Sequence, residues 1–332
     1  MRLQRRVDLL KKLGDFIISD EEKWRRVKEK ASFENPWFLP QFIDFQLNHI
    51  SSEYLAPAKL DQWIAQYAVP ETPATQKNVG IVMAGNIPLA GFHDLLSAFL
   101  AGHKQMIKPS SKDFVLIDGM IRFLKELDSE VHEYIFIADR LKGCDAYIAT
   151  GSNNSSRYFD YYFGRYPHII RKNRTSAAIL TDNESVADLA ALSDDVYLYF
   201  GLGCRNVTKI FVPPSYDFFP LLEAFKKYDK VSDNHKYRNN YDYQLAILMI
   251  NKIYYMTNNS ILLQENKALF SPISQLHYEF YDDVETVKAN LLKNNDVQCI
   301  VGRGFTSFGQ AQHPELNDYA DKADTLQFLL DL

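Results

Sequence analysis

The stretch NVGIVMAGNIPLAGFHDLLSAFLAG, residues 78–102, decides the reading of the fold. Asn78 to Gly85 is a short apolar run closed by a turn signal, the pattern of a strand buried on both faces. Pro88 then opens a helix that runs to Gly102, because proline suits a first helical turn that needs no N–H. The pattern repeats at once. KQMIKPS reads as a strand, KDFVLIDGMIRFLKEL as a helix, YIFIAD and DAYIATGS as strands, and SSRYFDYYFGRY as a helix. Strands alternating with helices in this way predict a parallel sheet covered on both faces.

The alternation resumes further on. VADLAALSDDVYLYF reads as a helix, NVTKIFV as a strand, FFPLLEAFKKY as a helix, and a long helix surrounds YDYQLAILMINKI. QLHYEF, VETVKANLLKN and VQCIVG then give strand, helix and strand. Residues 1–75 read instead as helical and polar, with breaks at ENPWFLP and AVPETPATQ. The expected plan is a helical N-terminal segment at 1–75 and α/β domains at 76–198 and 199–300. A C-terminal segment at 301–332 returns to the first of these or to an oligomer interface. The two α/β layers meet near residue 200, and Cys204 falls there. Ligands usually bind in clefts of this kind.

Composition narrows the function. The chain has 332 residues, 46% hydrophobic and 24% charged, with a net charge of -5, so a soluble globular protein is expected and no nucleic-acid partner. The basic run MRLQRRVDLLKKL alternates with apolar residues and reads as the solvated face of an amphipathic helix. The charged N-terminus lacks a signal-peptide core, and no apolar stretch suffices for a transmembrane segment, so a cytoplasmic protein is expected. Cys144, Cys204 and Cys299 are far apart in sequence and lack metal-ligand spacing, which argues against a disulfide framework and against a metal. A P-loop and a dinucleotide fingerprint are both missing: GLGCRN lacks the third glycine and precedes a strand, and GRGFTSFGQ fails the spacing.

Three local features lie at the carboxyl ends of predicted strands, the ligand-binding edge of a parallel sheet. Asn86 ends the first strand, just before a helix. Lys108, Ser110 and Ser111 end the second. Gly151 and Ser152 form a strand-to-helix turn whose free N–H groups suit a phosphate. Alone, a strand-ending Asn or Ser is more often a helix cap. A lone cysteine such as Cys204 is usually a small buried hydrophobe.

The order of these features resembles the aldehyde dehydrogenase superfamily. The wording of GNIPLAGFHD, IKPSSKD, FGLGCRNVTKIFVP and FGQAQHPELNDYADKADTLQFL is similar to the fatty acyl-CoA reductase branch known from bacterial bioluminescence. The resemblance implies two three-layer α/β domains, one binding a nicotinamide dinucleotide and one carrying the catalytic thiol, and a homo-oligomer. It implies that Cys204 is the nucleophile and that Asn86, with the cysteine's own N–H, stabilises the oxyanion. It also implies that Lys108 meets the adenosine ribose, that Gly151 and Ser152 face the pyrophosphate, and that Phe270 lies beside the nicotinamide ribose. Aldehyde-oxidising members carry a water-activating glutamate. The corresponding HIIRKNRTSAAIL has no carboxylate, which fits a reductase whose thioester intermediate must escape hydrolysis. A second family glutamate is replaced by Ala268, and a glycine of the Gly-Ser turn is replaced near Ser156.

The implied activity is NAD(P)H-dependent reduction of an acyl-CoA to an aldehyde. Ser111 stands where strict NAD users often carry a carboxylate, and Lys108 and Lys112 flank it, so charge favours NADPH while allowing NADH. Gly201 and Gly203 are expected to keep the approach to Cys204 open. His93, His168 and His235 are possible proton donors, none of them assigned. Two other readings stay open: an acyltransferase or acyl carrier using Cys204 without hydride, and a silent relative acting as a binding subunit.

Overall fold

The computed structural model describes residues 1–332, which divide into two units: Met1–Asn173 with Pro314–Leu332, and Arg174–His313. In the first unit, four helices come first: α1 (Leu3–Ile17), α2 (Glu22–Glu34), α3 (Pro40–His49) and α4 (Pro57–Tyr67). There follow β1 (Asn78–Val82), α5 (Phe92–Ala101), β2 (Lys104–Lys108), α6 (Phe114–Leu127), β3 (Ile135–Ile137), β4 (Ala146–Thr150), α7 (Asn153–Phe163) and β5 (His168–Arg171). The strands form a fully parallel sheet in the order β3-β2-β1-β4-β5. Right-handed crossovers put α5 and α6 on one face and α7 on the other.

The second unit holds β6 (Thr175–Ile179), α8 (Val186–Tyr197), β7 (Val207–Val212), α9 (Phe219–Ala224), α10 (His235–Ile250), β8 (Met256–Thr257), β9 (Leu262–Glu265), β10 (Gln275–Phe280), α11 (Val284–Lys293) and β11 (Val297–Val301). Its sheet runs β11-β6-β7-β10-β9-β8, with only β8 antiparallel. The chain then returns to the first unit, where α12 (Thr325–Leu330) packs on α5. Two α/β units with parallel sheets are therefore present, divided at 173/174 where the sequence reading divides them at 198/199. The reason is that β6 pairs with β7 and β11, so β6 and α8 belong to the second sheet.

Local differences have local causes. The helix expected from Pro88 starts at Phe92, because Leu89 adopts φ 56° and interrupts it. The helices of residues 1–75 are not a separate body: α1 and α2 pack on α6, and their apolar faces join the core around Leu96, Phe99 and Ile121. Arg6, read from sequence as part of a solvated face, is fully buried. Its guanidinium donates to the carbonyls of Met1 at 2.6 Å and Leu100 at 2.9 Å, and so ties α1 to the carboxyl end of α5.

Two histidines, the half-buried His93 and the buried His103, hold the returning segment. His93 donates from Nε2 to the Leu316 carbonyl at 2.9 Å, inside a cage of Tyr54, Trp63 and Tyr319. His103 donates from Nε2 to the Leu329 carbonyl at 2.8 Å and accepts the Lys77 N–H. Burial pushes both rings below the ordinary imidazole range. Unfolding lets them take protons near the usual value of about 6.5, so their contribution is whole above that pH and is lost as pH falls below it. Replacing His103 by Gln keeps a donor without a titrating ring. It is expected to shrink the Tm loss between about pH 7.5 and 5.5 by about 2 °C in thermal melts.

Candidate active site

Register aligns the strand ends of the first unit. Val82 of β1 stands level with Lys108 of β2 and with Ala149 of β4. Asn86, Lys108, Ser110, Ser111, Gly151 and Ser152 therefore share the carboxyl edge, and β1 and β4 flank the point where strand order reverses. Asn86, Lys108, Ser111 and Ser152 are exposed, and Ser110 is half-buried. The Ser110 hydroxyl accepts the Lys112 N–H at 3.2 Å and shapes the turn after β2. Ser152 caps α7, its hydroxyl accepting the Ser155 N–H at 3.2 Å. A Cβ at position 151 would come within 2.9 Å of the Phe159 ring, so Gly151 lets α7 pack closely on the strand end. Exposed lysines, hydroxyls and the start of an 11-residue helix along one edge make a donor set suited to a phosphate-bearing ligand.

Asp113 is a residue that sequence reading missed. Instead of capping α6, its carboxylate turns back and accepts the Leu89 N–H at 2.6 Å, fixing the left-handed residue between Asn86 and α5. Burial pushes this carboxyl well above the ordinary range. Residues 108–112 carry no carboxylate, and the buried Asp113 side chain is turned to the Leu89 N–H. In HIIRKNR the buried Arg171 pairs with Asp94 at 2.6 Å and with Thr325 at 2.7 Å, an arrangement internal to the first unit.

In the second unit the half-buried Cys204 sits on the loop between α8 and β7, at the amino end of the second sheet. Tyr199, Phe200 and Gly201 take three successive left-handed conformations, with φ of 55°, 57° and 74°. Two buried aromatics in that region cost about 1–2 kcal/mol each, a strain that the surrounding bonds must offset. The left-handed backbone at Gly201 also favours glycine there on conformational grounds. The Asn206 side chain accepts the Gly203 N–H at 2.8 Å and donates to the carbonyls of Asp195 at 3.0 Å and Leu198 at 2.9 Å. From β6, the Ser176 hydroxyl donates to the Cys204 carbonyl at 3.1 Å and also meets Cys299 Sγ at 3.1 Å. The buried Asp195 carboxylate accepts N–H bonds from Gly309 and Ala311, and burial pushes it up to about 7.

Phe270 is half-buried on the loop between β9 and β10. Three side chains staple that loop to the sheet. Lys209 donates to the Asn266 carbonyl and to Glu279 at 2.7 Å, His277 donates to the Ala268 carbonyl at 3.0 Å, and Thr208 donates to the Leu269 carbonyl at 2.9 Å. Ala268 thus takes part in this loop through its backbone. Burial lowers the pKa of both Lys209 and His277. Cys144 is buried and its thiol is pushed up by burial, as expected of a packing residue. Cys299 is also pushed up, yet its bond to Ser176 places it in the surroundings of Cys204 rather than in an isolated strand. His168 and His235 are exposed, and His93 is occupied by Leu316.

The family model for acyl-CoA reductase (LuxC) matches residues 37–214, more than half of the chain. The chain belongs to the acyl-CoA reductase (LuxC) family. The matched span runs from the end of α2 through the edge of the first sheet to Cys204 and β7. Among curated relatives, a long-chain acyl-protein thioester reductase 2 of Photobacterium leiognathi is 22% identical over 234 residues, covering 61% of this chain and 47% of its own. The chain therefore spans about half the length of the curated relative it matches. The structure is similar to aldehyde dehydrogenase 21 of Physcomitrella patens, determined with the reaction product succinate: TM-score 0.69, 12% identity, 91% of this chain and 74% of that one. An aldehyde dehydrogenase of Mycobacterium tuberculosis complexed with NAD+ gives a TM-score of 0.63 at 14% identity, covering 91% of this chain and 73% of that one. The aldehyde-dehydrogenase-like fold of the acyl-CoA reductase (LuxC) chain is thereby shown.

The role of Asp113 as acceptor for the Leu89 N–H has a direct test. Asn offers the same acceptor to the Leu89 N–H without a charge, so Asp113→Asn is expected to change stability by less than about 1 kcal/mol in urea unfolding. Asp113→Leu removes the acceptor and is expected to lose about 2 kcal/mol.

Proposed function

We propose that this chain reduces an acyl thioester to an aldehyde with a nicotinamide cofactor, through an acyl-enzyme on Cys204. The observation that carries the reading is the loop of Cys204: a half-buried thiol on a strained turn, held on either side by Asn206 and Ser176. Backbone strain over-determined by surrounding bonds is characteristic of functional positions. Family membership supplies the reaction class.

In this reading the Cys204 thiolate attacks the thioester carbonyl and forms a new thioester as the donor thiol leaves. A serine in its place would exchange poorly with a thiol. Negative charge gathers on the carbonyl oxygen during attack, and Asn86 is assigned to receive it, together with the Cys204 N–H. One such donor typically contributes about 3 kcal/mol. A nicotinamide held at the edge of the first sheet would supply hydride to the acyl carbon, and the acyl group would then leave as aldehyde with the Cys204 thiolate freed. Lys108, Ser110, Ser111, Gly151 and Ser152 are assigned to hold the dinucleotide, and Phe270 to flank the nicotinamide ribose. Exposed Lys108 and Lys112 beside Ser111, with Asp113 turned inward, favour NADPH over NADH, since a 2′-phosphate meets positive charge and no carboxylate. Without a carboxylate in HIIRKNRTSAAIL, no base is provided there to activate water against the acyl-enzyme.

The thiol that delivers the acyl group admits a second version. The Photobacterium leiognathi relative is named for an acyl-protein thioester, so a protein thiol is a donor to set beside CoA. Mixing the chain with acyl-CoA of several chain lengths, or with an acylated protein thiol, and following NADPH and NADH absorbance separates these choices. Cys204→Ala is expected to abolish turnover, and Asn86→Ala to lower kcat by about 10²–10³-fold. Aldehyde formed by the Cys204→Ala variant would refute the mechanism. Acylation of Cys204 with no use of either nicotinamide would favour an acyltransferase or carrier, and failure of both would favour a binding subunit.

A further inference from the structure

We infer that Asn206 is the positioning residue of the thiol: its single side-chain amide clamps both sides of Cys204 to the end of α8. The inference rests on the reading of Cys204 as nucleophile. Helices commonly end with one left-handed residue whose neighbours' N–H groups turn back to the last carbonyls. Here three left-handed residues carry the chain away from the helix, and the terminal carbonyls are taken from beyond the cysteine. Asn206 Nδ2 reaches the Asp195 carbonyl at 3.0 Å, Val196 at 3.4 Å and Leu198 at 2.9 Å.

The other end of the same amide looks the opposite way along the chain. Its Oδ1 accepts the Gly203 N–H at 2.8 Å, while the Asn206 N–H donates to the Gly203 carbonyl at 3.1 Å. Residues 203 and 206 are thereby locked in both directions, with Cys204 and Arg205 between them. Behind them, the Asn206 carbonyl accepts the Ser176 N–H at 3.1 Å and the Thr175 hydroxyl at 3.2 Å, which anchors the clamp to β6. The side chain is fully buried, so no water stands in for these bonds. Asparagine alone meets the demand at this length. Aspartate has the same shape but no donor, and it aims charge at three carbonyl oxygens. Serine carries a single donor, and glutamine is one methylene too long for a site with no free volume.

The chemical consequence is a division between reach and direction. Attack on a thioester carbonyl needs the sulfur on a set path relative to the acyl group, and small displacements there cost up to about 10²-fold. Alkylation by iodoacetamide needs only access. Loss of the clamp should therefore depress acyl transfer far more than alkylation.

The test uses the full chain, with Asn206→Asp and Asn206→Ser. Pre-steady-state acylation of Cys204 by acyl-CoA is expected to fall by about 30-fold or more in Asn206→Asp, and by less in Asn206→Ser, while iodoacetamide modification of Cys204 stays within about threefold. Leu291→Ala, a core change on α11, is expected to lower Tm without altering either rate. Amide exchange across residues 199–206 gives a readout free of chemistry. The Gly203 amide, whose acceptor Asn206→Ser removes, is expected to be protected in the wild type and to exchange at least about tenfold faster in Asn206→Ser.

Rapid exchange at wild-type Gly203 overturns the inference even if no variant folds. Unchanged exchange in folded Asn206→Ser overturns it too, as does a parallel fall of acylation and alkylation. A wild-type chain that accepts no acyl group from any thioester sinks the reading of Cys204 as nucleophile, while exchange still decides whether Asn206 holds the loop.

Discussion

Parallel strands cannot be joined by a tight hairpin, so each pair needs a crossover, and all strand ends of one polarity collect along one edge. That constraint arranges most of what has been described. In the first unit it gathers Asn86, Lys108 and the turn at Gly151 on one edge, although more than sixty residues separate the first from the last. In the second it sets Cys204 at the start of β7, beside the start of β6, where the Ser176 hydroxyl reaches its carbonyl. The loops at these edges then need shape as well as place, and buried polar side chains provide it.

Those side chains share a logic. Asp113, Lys209, His277 and Asn206 each leave the solvent to satisfy a backbone group of a neighbouring loop. A buried backbone N–H or carbonyl without a partner costs about 1–3 kcal/mol, so irregular chain persists near a sheet only where such partners exist. The result is a pair of regular scaffolds carrying loops held by specific side chains.

Much of this was legible in the sequence. The alternation from Asn78 onward gave the parallel sheets, and strand-end positions gave the edge on which six of the candidate residues lie. Cys204 stood out by its motif. Other features were hidden for physical reasons. The polar residues Lys172, Asn173 and Arg174 separate β5 from β6, so that the apolar runs on either side look too broken to be strands. Arg6 has the sequence signature of a surface residue, and only the carbonyls at the end of α5 explain its burial. Asn206 and Asp113 act through partners that become neighbours only after folding, and no periodicity marks them. The left-handed run at Tyr199 was invisible because aromatics rarely adopt it.

The return of residues 314–332 to the first unit has a consequence for synthesis on the ribosome. The core of that unit takes in Leu316, Tyr319, Leu326 and Leu329, and His93 and His103 keep their acceptors in the same stretch. The earlier unit therefore waits, partly open, while the whole of 174–313 is translated. The later unit, contiguous in sequence, finds all its partners first. Maturation then proceeds from the inserted unit outward, and chaperones would meet the exposed face of α5 during the delay.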